Sequence, residues 1–163
     1  MFILKWLLIA VVLLVIAAIL AGQFGLLKGK PPTDLGLRSG QFKAPSNTNN
    51  SVTSQAALHP NHPLRAKAEI AALPMTGDAA ATMARLQTVV AAMPGAQIIK
   101  AEPTYLYAQF TTRLMKYVDD VEFAIDEPAK LVQVRSASRL GKEDLNANRN
   151  RIEAIRAKLA SAP

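Results

Sequence analysis

The chain has 163 residues, half of them hydrophobic, a formal net charge of +7 and no cysteine. The missing thiols exclude disulfides, cysteine nucleophiles and cysteine-ligated metal, and the length suits one domain with a connecting segment. A basic balance attracts anionic lipid or nucleic acid in general, but Lys and Arg are dispersed here without the aromatic-plus-basic cluster of a nucleic-acid reader, so no nucleic-acid partner is expected.

The first element is the most apolar. From Trp6 to Gly22 there is no charge, and Lys5 and Gln23 are the only polar interruptions between Phe2 and Leu27. A helix crosses a bilayer with about 20 apolar residues, and a chain this small can hardly bury a helix that is apolar all round. Residues 1–27 are therefore expected to form a single transmembrane anchor. The run exceeds the roughly 7–15 residues of a signal-peptide core, and Ala17, Ala18, Ala21 and Gly22 offer no well-spaced cut, so the anchor is expected to stay uncleaved. Leu20-Ala21-Gly22-Gln23 resembles a lipoprotein box with Gln in place of the lipidated cysteine, which excludes lipidation there. Flanking charge leaves orientation open: Lys5 and the α-amino group stand on one side, Lys28, Lys30, Arg38 and Lys43 on the other.

Residues 28–63 read as a linker or extended lead-in, punctuated by Pro31, Pro32, Gly36, Gly40, Pro45, Pro60 and Pro63, with a polar run from Asn47 to Ser54. Both histidines, His59 and His62, fall at its end. Two loop histidines are too few ligands for a zinc site, so neither metal nor cofactor is expected.

The folded domain is expected over residues 64–163. Asp78 is a good N-cap, and Ala79, Met83, Leu86, Val90 and Met93 form one helical stripe that Pro94-Gly95 ends. The period then changes to two. Gln97 to Ala101 is a short strand, and Thr104 to Thr112 alternates Leu106, Ala108 and Phe110 against Tyr105, Tyr107, Gln109 and Thr111. In Tyr117 to Asp126, Val121, Phe123 and Ile125 share one face; after the Glu127-Pro128-Ala129 turn, Val132 and Val134 do so in Leu131 to Ser138. Short connections make these four strands antiparallel. Matching their apolar faces pairs Ile125 with Val132, Phe123 with Val134, Glu122 with Arg135 and Asp119 with Ser138. A last helix is expected from Lys142–Asp144, with Leu145, Asn148, Ile152, Ile155 and Leu159 as its stripe. The predicted fold is α+β: an N-terminal transmembrane helix, then a two-layer sandwich of a four-stranded antiparallel sheet with two helices.

Tyr117-Val118-Asp119-Asp120-Val121-Glu122-Phe123, Val134-Arg135-Ser136-Ala137-Ser138-Arg139, Asp144-Leu145 and Asn148-Arg149 together resemble domain of unknown function 1499, an uncharacterised family of bacteria and chloroplasts. The likeness runs from about Leu35 to Leu159. Asn50-Ser51-Val52-Thr53-Ser54 stands where the family carries Asn-Cys-Val-Ser-Ser, and the family's other nearby cysteine is absent too. The resemblance implies a disulfide and an oxidising compartment in relatives, and a membrane-associated or exported domain here. It implies no activity. With the short amino-terminal tail and the polar lead-in, it places residues 28–163 on the periplasmic side of an inner membrane.

Two sets of polar residues remain. Arg113, Asp119, Asp120, Arg135, Ser136, Ser138, Arg139, Asn148 and Arg149 are expected to gather at one end of the sheet. There they form either an anion site of arginine forks and helix-start amides or an internal network in which Asp119 and Asp120 neutralise Arg139 and Arg113 and Asn148 caps a strand end. Adjacent strand residues point to opposite faces, so Asp119 and Asp120 cannot act as a facing acid–base pair, and no Ser-His-Asp set is available. No catalytic residue is assigned. Tyr105, Tyr107 and Gln109, with Glu122, Gln133 and Arg135, mark the open sheet face as an interface candidate or a solvated surface. The resulting expectation is a non-enzymatic, membrane-anchored envelope domain that contacts a protein partner or anionic lipid. The alternative is a small anionic-ligand-binding or hydrolytic domain using the arginine/serine cluster.

Overall fold

The uninterrupted apolar run folds as one helix, α1 (Phe2–Gln23). It is long and apolar enough to cross a membrane, and none of its most apolar stretch is buried inside the protein. The structure, a computed structural model, describes residues 2–161. Met1, Ala162 and Pro163, the ends of the expected anchor and domain, lie outside the described residues.

Two further helices and the strands follow the sequence periods. Asp78 caps α3 (Ala79–Ala91) by accepting from the Ala81 amide, and the helix stops before Pro94-Gly95. Gly95 has positive φ, and a Cβ there would strike the Thr111 carbonyl, so the turn requires glycine. β3 (Ala96–Ala101), β4 (Tyr105–Thr111), β5 (Val118–Asp126) and β6 (Leu131–Ser138) then run as an antiparallel meander. Ile125 pairs with Val132, Phe123 with Val134, Glu122 with Arg135 and Asp119 with Ser138, the register that apolar-face matching requires. The pairing of outer strand β3 with β4 is broken by an irregularity between Ile98 and Lys100.

The sheet has six strands rather than the expected four. β1 (Ser51–Thr53) and β2 (Leu73–Pro74) lie one after the other along the free edge of β6, opposite Arg135–Ala137 and Leu131–Val132. Strands of three and two residues carry too few alternations to show a period of two. A short helix, α2 (Arg65–Ala68), lies between them. α4 (Ala147–Ser161) begins later than expected. Leu145 and Asn146 both adopt left-handed backbone, leaving Leu145 84% exposed instead of heading the buried stripe.

α3 and α4 cover one face. Met83, Leu86, Val90, Ile152 and Ile155 pack on Leu106, Phe110, Val121, Phe123, Val132 and Val134 in one apolar cluster. Thus the two-layer α+β arrangement is present, with an addition. The other sheet face is covered by irregular chain from residues 28–46 instead of standing open. Phe42 inserts against Tyr105, Ala124 and Tyr107. Gln55 clamps this chain, accepting from the Phe42 amide at 2.8 Å and donating to the Gly40 carbonyl at 3.0 Å.

Candidate functional site

Because β5 alternates, Asp119 and Asp120 enter two separate networks on opposite sides of the sheet. On the helix side the hub is Asn148, fully buried in the first turn of α4. Asp144 holds that turn by accepting from the Asn148 amide at 2.9 Å. The Asn148 side-chain nitrogen reaches the Asn50 carbonyl at 3.0 Å, Ser138 Oγ at 2.9 Å and Asp144 Oδ2 at 2.7 Å. Its oxygen accepts from Ser136 Oγ and from Arg151 Nη1. Arg151 also pairs with Asp119 and donates to Ser136 Oγ at 3.0 Å, with its guanidinium 4.7 Å from the Phe110 ring centre. The buried amide and hydroxyls here bond to one another, so this set is built to join α4, β1, β5 and β6. The Ser136 and Ser138 hydroxyls are committed to it, and among the described residues neither hydrogen-bonds a carboxylate directly.

Across the sheet, Asp120 receives a two-pronged contact from Arg139, Nε at 2.9 Å and Nη2 at 2.7 Å, and a hydrogen bond from the Tyr107 hydroxyl. Gln109 donates to that hydroxyl at 2.8 Å. The Asp120 contact raises the Arg139 pKa above its ordinary value, despite partial burial. Glu122 is fully buried, and its Oε1 accepts from Tyr105 OH at 2.8 Å and from the Gly36 amide at 2.6 Å. Burial, then the Glu122 charge, raises the Tyr105 pKa; burial and the Asp120 hydrogen bond raise that of Tyr107.

Arg135, 3% exposed, differs from its neighbours. Its Nη1 forms a long ion pair with Glu122 Oε2 at 3.5 Å, and among the described residues its buried Nε has no hydrogen-bond partner. Burial lowers its pKa, which the Glu122 charge opposes. Beside it lies a hollow of about 190 Å³, lined also by Lys30, Lys43, Ser46 and Arg139.

The nine clustered residues expected from the sequence therefore do not form one constellation. Asp119, Ser136, Ser138 and Asn148 meet on the helix side; Asp120, Arg135 and Arg139 meet on the other. Arg113 is exposed on the loop after β4, with Phe110 and Arg151 lining an open cavity of about 700 Å³, and it neutralises neither aspartate. Arg149 ties α4 to α2 through the Lys67 and Glu69 carbonyls, 2.8 Å each. Arg139 pairs with Asp120, and Asn148 joins the start of α4 to the Asn50 carbonyl before β1 and to Ser138 at the end of β6. Tyr105, Tyr107, Glu122 and Arg135 are covered by residues 28–46, so they form no open tyrosine face. The sequence reading omitted Arg151, although it is three residues past Asn148 and four before Ile155 on the same helix side. It also omitted Gln55, and it read Lys30 and Lys43 only as charges flanking the anchor, since no periodicity singles them out. Among the described residues, no three His, Asp or Glu side chains converge as metal ligands.

The family described as "Protein of unknown function (DUF1499)" matches residues 41–159, well over half of the chain. The chain belongs to this family. The matched span contains all six strands and both aspartate networks, with α1 and the chain up to Gly40 before it. No curated protein and no solved structure matches.

Proposed function

We propose that α1 anchors the chain in a bilayer and that the domain rests on the membrane surface as a non-enzymatic contact domain, on the periplasmic side, engaging anionic lipid. The observation that carries this reading is the docking of the end of α1 into the domain. Gly22 is buried so closely against the Met115 backbone that a Cβ would collide with it, and Gln23 Nε2 donates to the Leu114 carbonyl at 2.9 Å. Such contacts hold one end of the domain at the level where the helix would leave the hydrocarbon.

That end has the composition of a membrane-facing surface. Leu27, Leu140, Leu145 and Tyr117 line one hollow beside the helix end, and Leu26, Leu114, Leu140 and Leu145 are exposed. Lys28, Arg113, Lys116 and Lys142 flank them in sequence. Exposed leucines beside basic residues favour an interface whose acyl chains take the apolar groups and whose anionic head groups meet the cations. The committed serines of the helix-side network give no support to hydrolysis, and the covered tyrosines give none to a protein interface on that face.

The absence of cysteine makes the test direct. Leu145→Cys and Leu58→Cys, each carrying a nitroxide in the full chain in nanodiscs, report depth through lipid-soluble and aqueous relaxation agents. The Leu145 label is expected to contact lipid and the Leu58 label water. A Leu145 label as aqueous as that at position 58 would refute the surface reading. A reporter fused after the last residue decides the side of the membrane.

A further inference from the structure

The uncommitted donors of Arg135 indicate a binding site under the lead-in. We infer that the hollow between residues 30–46 and β6 binds a phosphate group, gripped by the Arg135 guanidinium with Lys30 at its mouth. Among the described residues, the buried Nε of Arg135 has no hydrogen-bond partner, and its Nη1 meets Glu122 Oε2 at 3.5 Å. A guanidinium withdrawn from water with its donors unused is costly, and a tetrahedral oxyanion is the ligand whose geometry accepts them in pairs.

Charge around the hollow favours the same ligand. Lys43 is neutralised by Asp34, Arg139 by Asp120, and Arg135 faces Glu122 at 3.5 Å. Lys30 lines the hollow and has no ion pair among the described residues, which leaves one net positive charge there. Glu122 opposes an incoming anion through Oε2, which faces Arg135 at 3.5 Å without a hydrogen bond; its Oε1 is held by Tyr105 and Gly36, and Asp120 is covered by the Arg139 fork. At ~30 Å³ per water, the 190 Å³ hollow has room for about six waters, enough for a phosphate group with bridging water.

Free phosphate and a phosphomonoester head group share this chemistry. Lys30 is seven residues beyond the end of α1, and Gly29 packs on Arg139 and Leu140, so a head group at the domain's α1 end is within reach. The site itself does not depend on the bilayer reading.

The full chain in maltoside micelles, which contain no phosphate, is titrated calorimetrically with inorganic phosphate, then with phosphatidic acid or phosphatidylcholine in mixed micelles. Saturable binding is expected. Lys30→Gln should weaken it about tenfold, the loss of one charge-assisted contact, and Lys28→Gln should leave it unchanged. Arg135→Lys, which keeps the charge but loses the fork, should abolish it. If that variant does not fold, the Arg135 Nε–H resonance of the unsubstituted chain replaces it and must shift on titration. Binding of inorganic phosphate identifies the free ion as sufficient; binding of phosphatidic acid alone identifies the lipid head group. Either supports the site. No saturable binding of either, equal binding by Lys30→Gln, or an unmoved Arg135 resonance overturns it.

Discussion

The two faces of the sheet solve the same burial problem with different materials. The helix face is mostly apolar and is covered by two regular helices, with its polar groups gathered at one end around Asn148. The other face carries Tyr105, Tyr107, Asp120, Glu122 and Arg135, covered by chain without regular structure that must meet each buried polar group separately. A helix supplies its own backbone hydrogen bonds, so it needs only apolar contact to settle on a sheet. Irregular chain has unsatisfied amides and carbonyls to place, and polar side chains beneath it become useful partners. The Gly36 amide on Glu122 and the Phe42 amide on Gln55 are two such placements.

The largest expected effect tests whether the helix-side network is structural. Asp119→Ala strands Arg151 above the core and should cost about 3–5 kcal/mol in chemical unfolding of the full chain, while Arg113→Ala should be near-neutral. Equal effects would show that the network carries no special weight. Next in size, Gln55→Ala leaves the Phe42 amide and the Gly40 carbonyl without partners and should cost about 1–3 kcal/mol. Hydrogen exchange should show this loss as faster opening of residues 36–46 while β5 and β6 stay protected; uniform acceleration would mean that the two layers open together.

The smallest expected effect concerns alkali. Tyr105 and Tyr107 have folded pKa values raised above the ordinary tyrosine value of about 10, so the folded state keeps protons that the unfolded state releases. Their contribution is complete below that value and is lost as pH rises from it toward the folded values. Tyrosinate absorbance should show two of the three tyrosines ionising late, together with exposure of the lead-in face. Three ordinary titrations in a still-folded chain would contradict the burial of this face.

The contrast also explains what could be read from the sequence. Val121, Phe123 and Ile125 alternate with polar residues, as do Val132 and Val134, and matching those faces fixed the β5–β6 register residue by residue. The same alternation misled on the opposite face: Tyr107, Glu122 and Arg135 have the pattern of a solvated surface, and a covering layer with no period of its own leaves no mark in a pattern. Asp119 and Asp120 were separable because consecutive strand positions diverge, but their partners were not. Asp119's partner, Arg151, lies 32 residues away on a separate helix, and strand alternation carries no information about which helical residue faces it.

The borders of the sheet bear on how this protein tolerates crowding. On one side β1 and β2 offer a neighbouring molecule only three and two residues to extend. On the other, β3 is longer but interrupted between Ile98 and Lys100, where Lys100 pairs with Glu102 and lies 5.6 Å from the centre of the Tyr105 ring. Short, bulged and charged borders are poor templates for strand addition. Copies concentrated side by side can therefore collide often without their sheets fusing into a continuous aggregate.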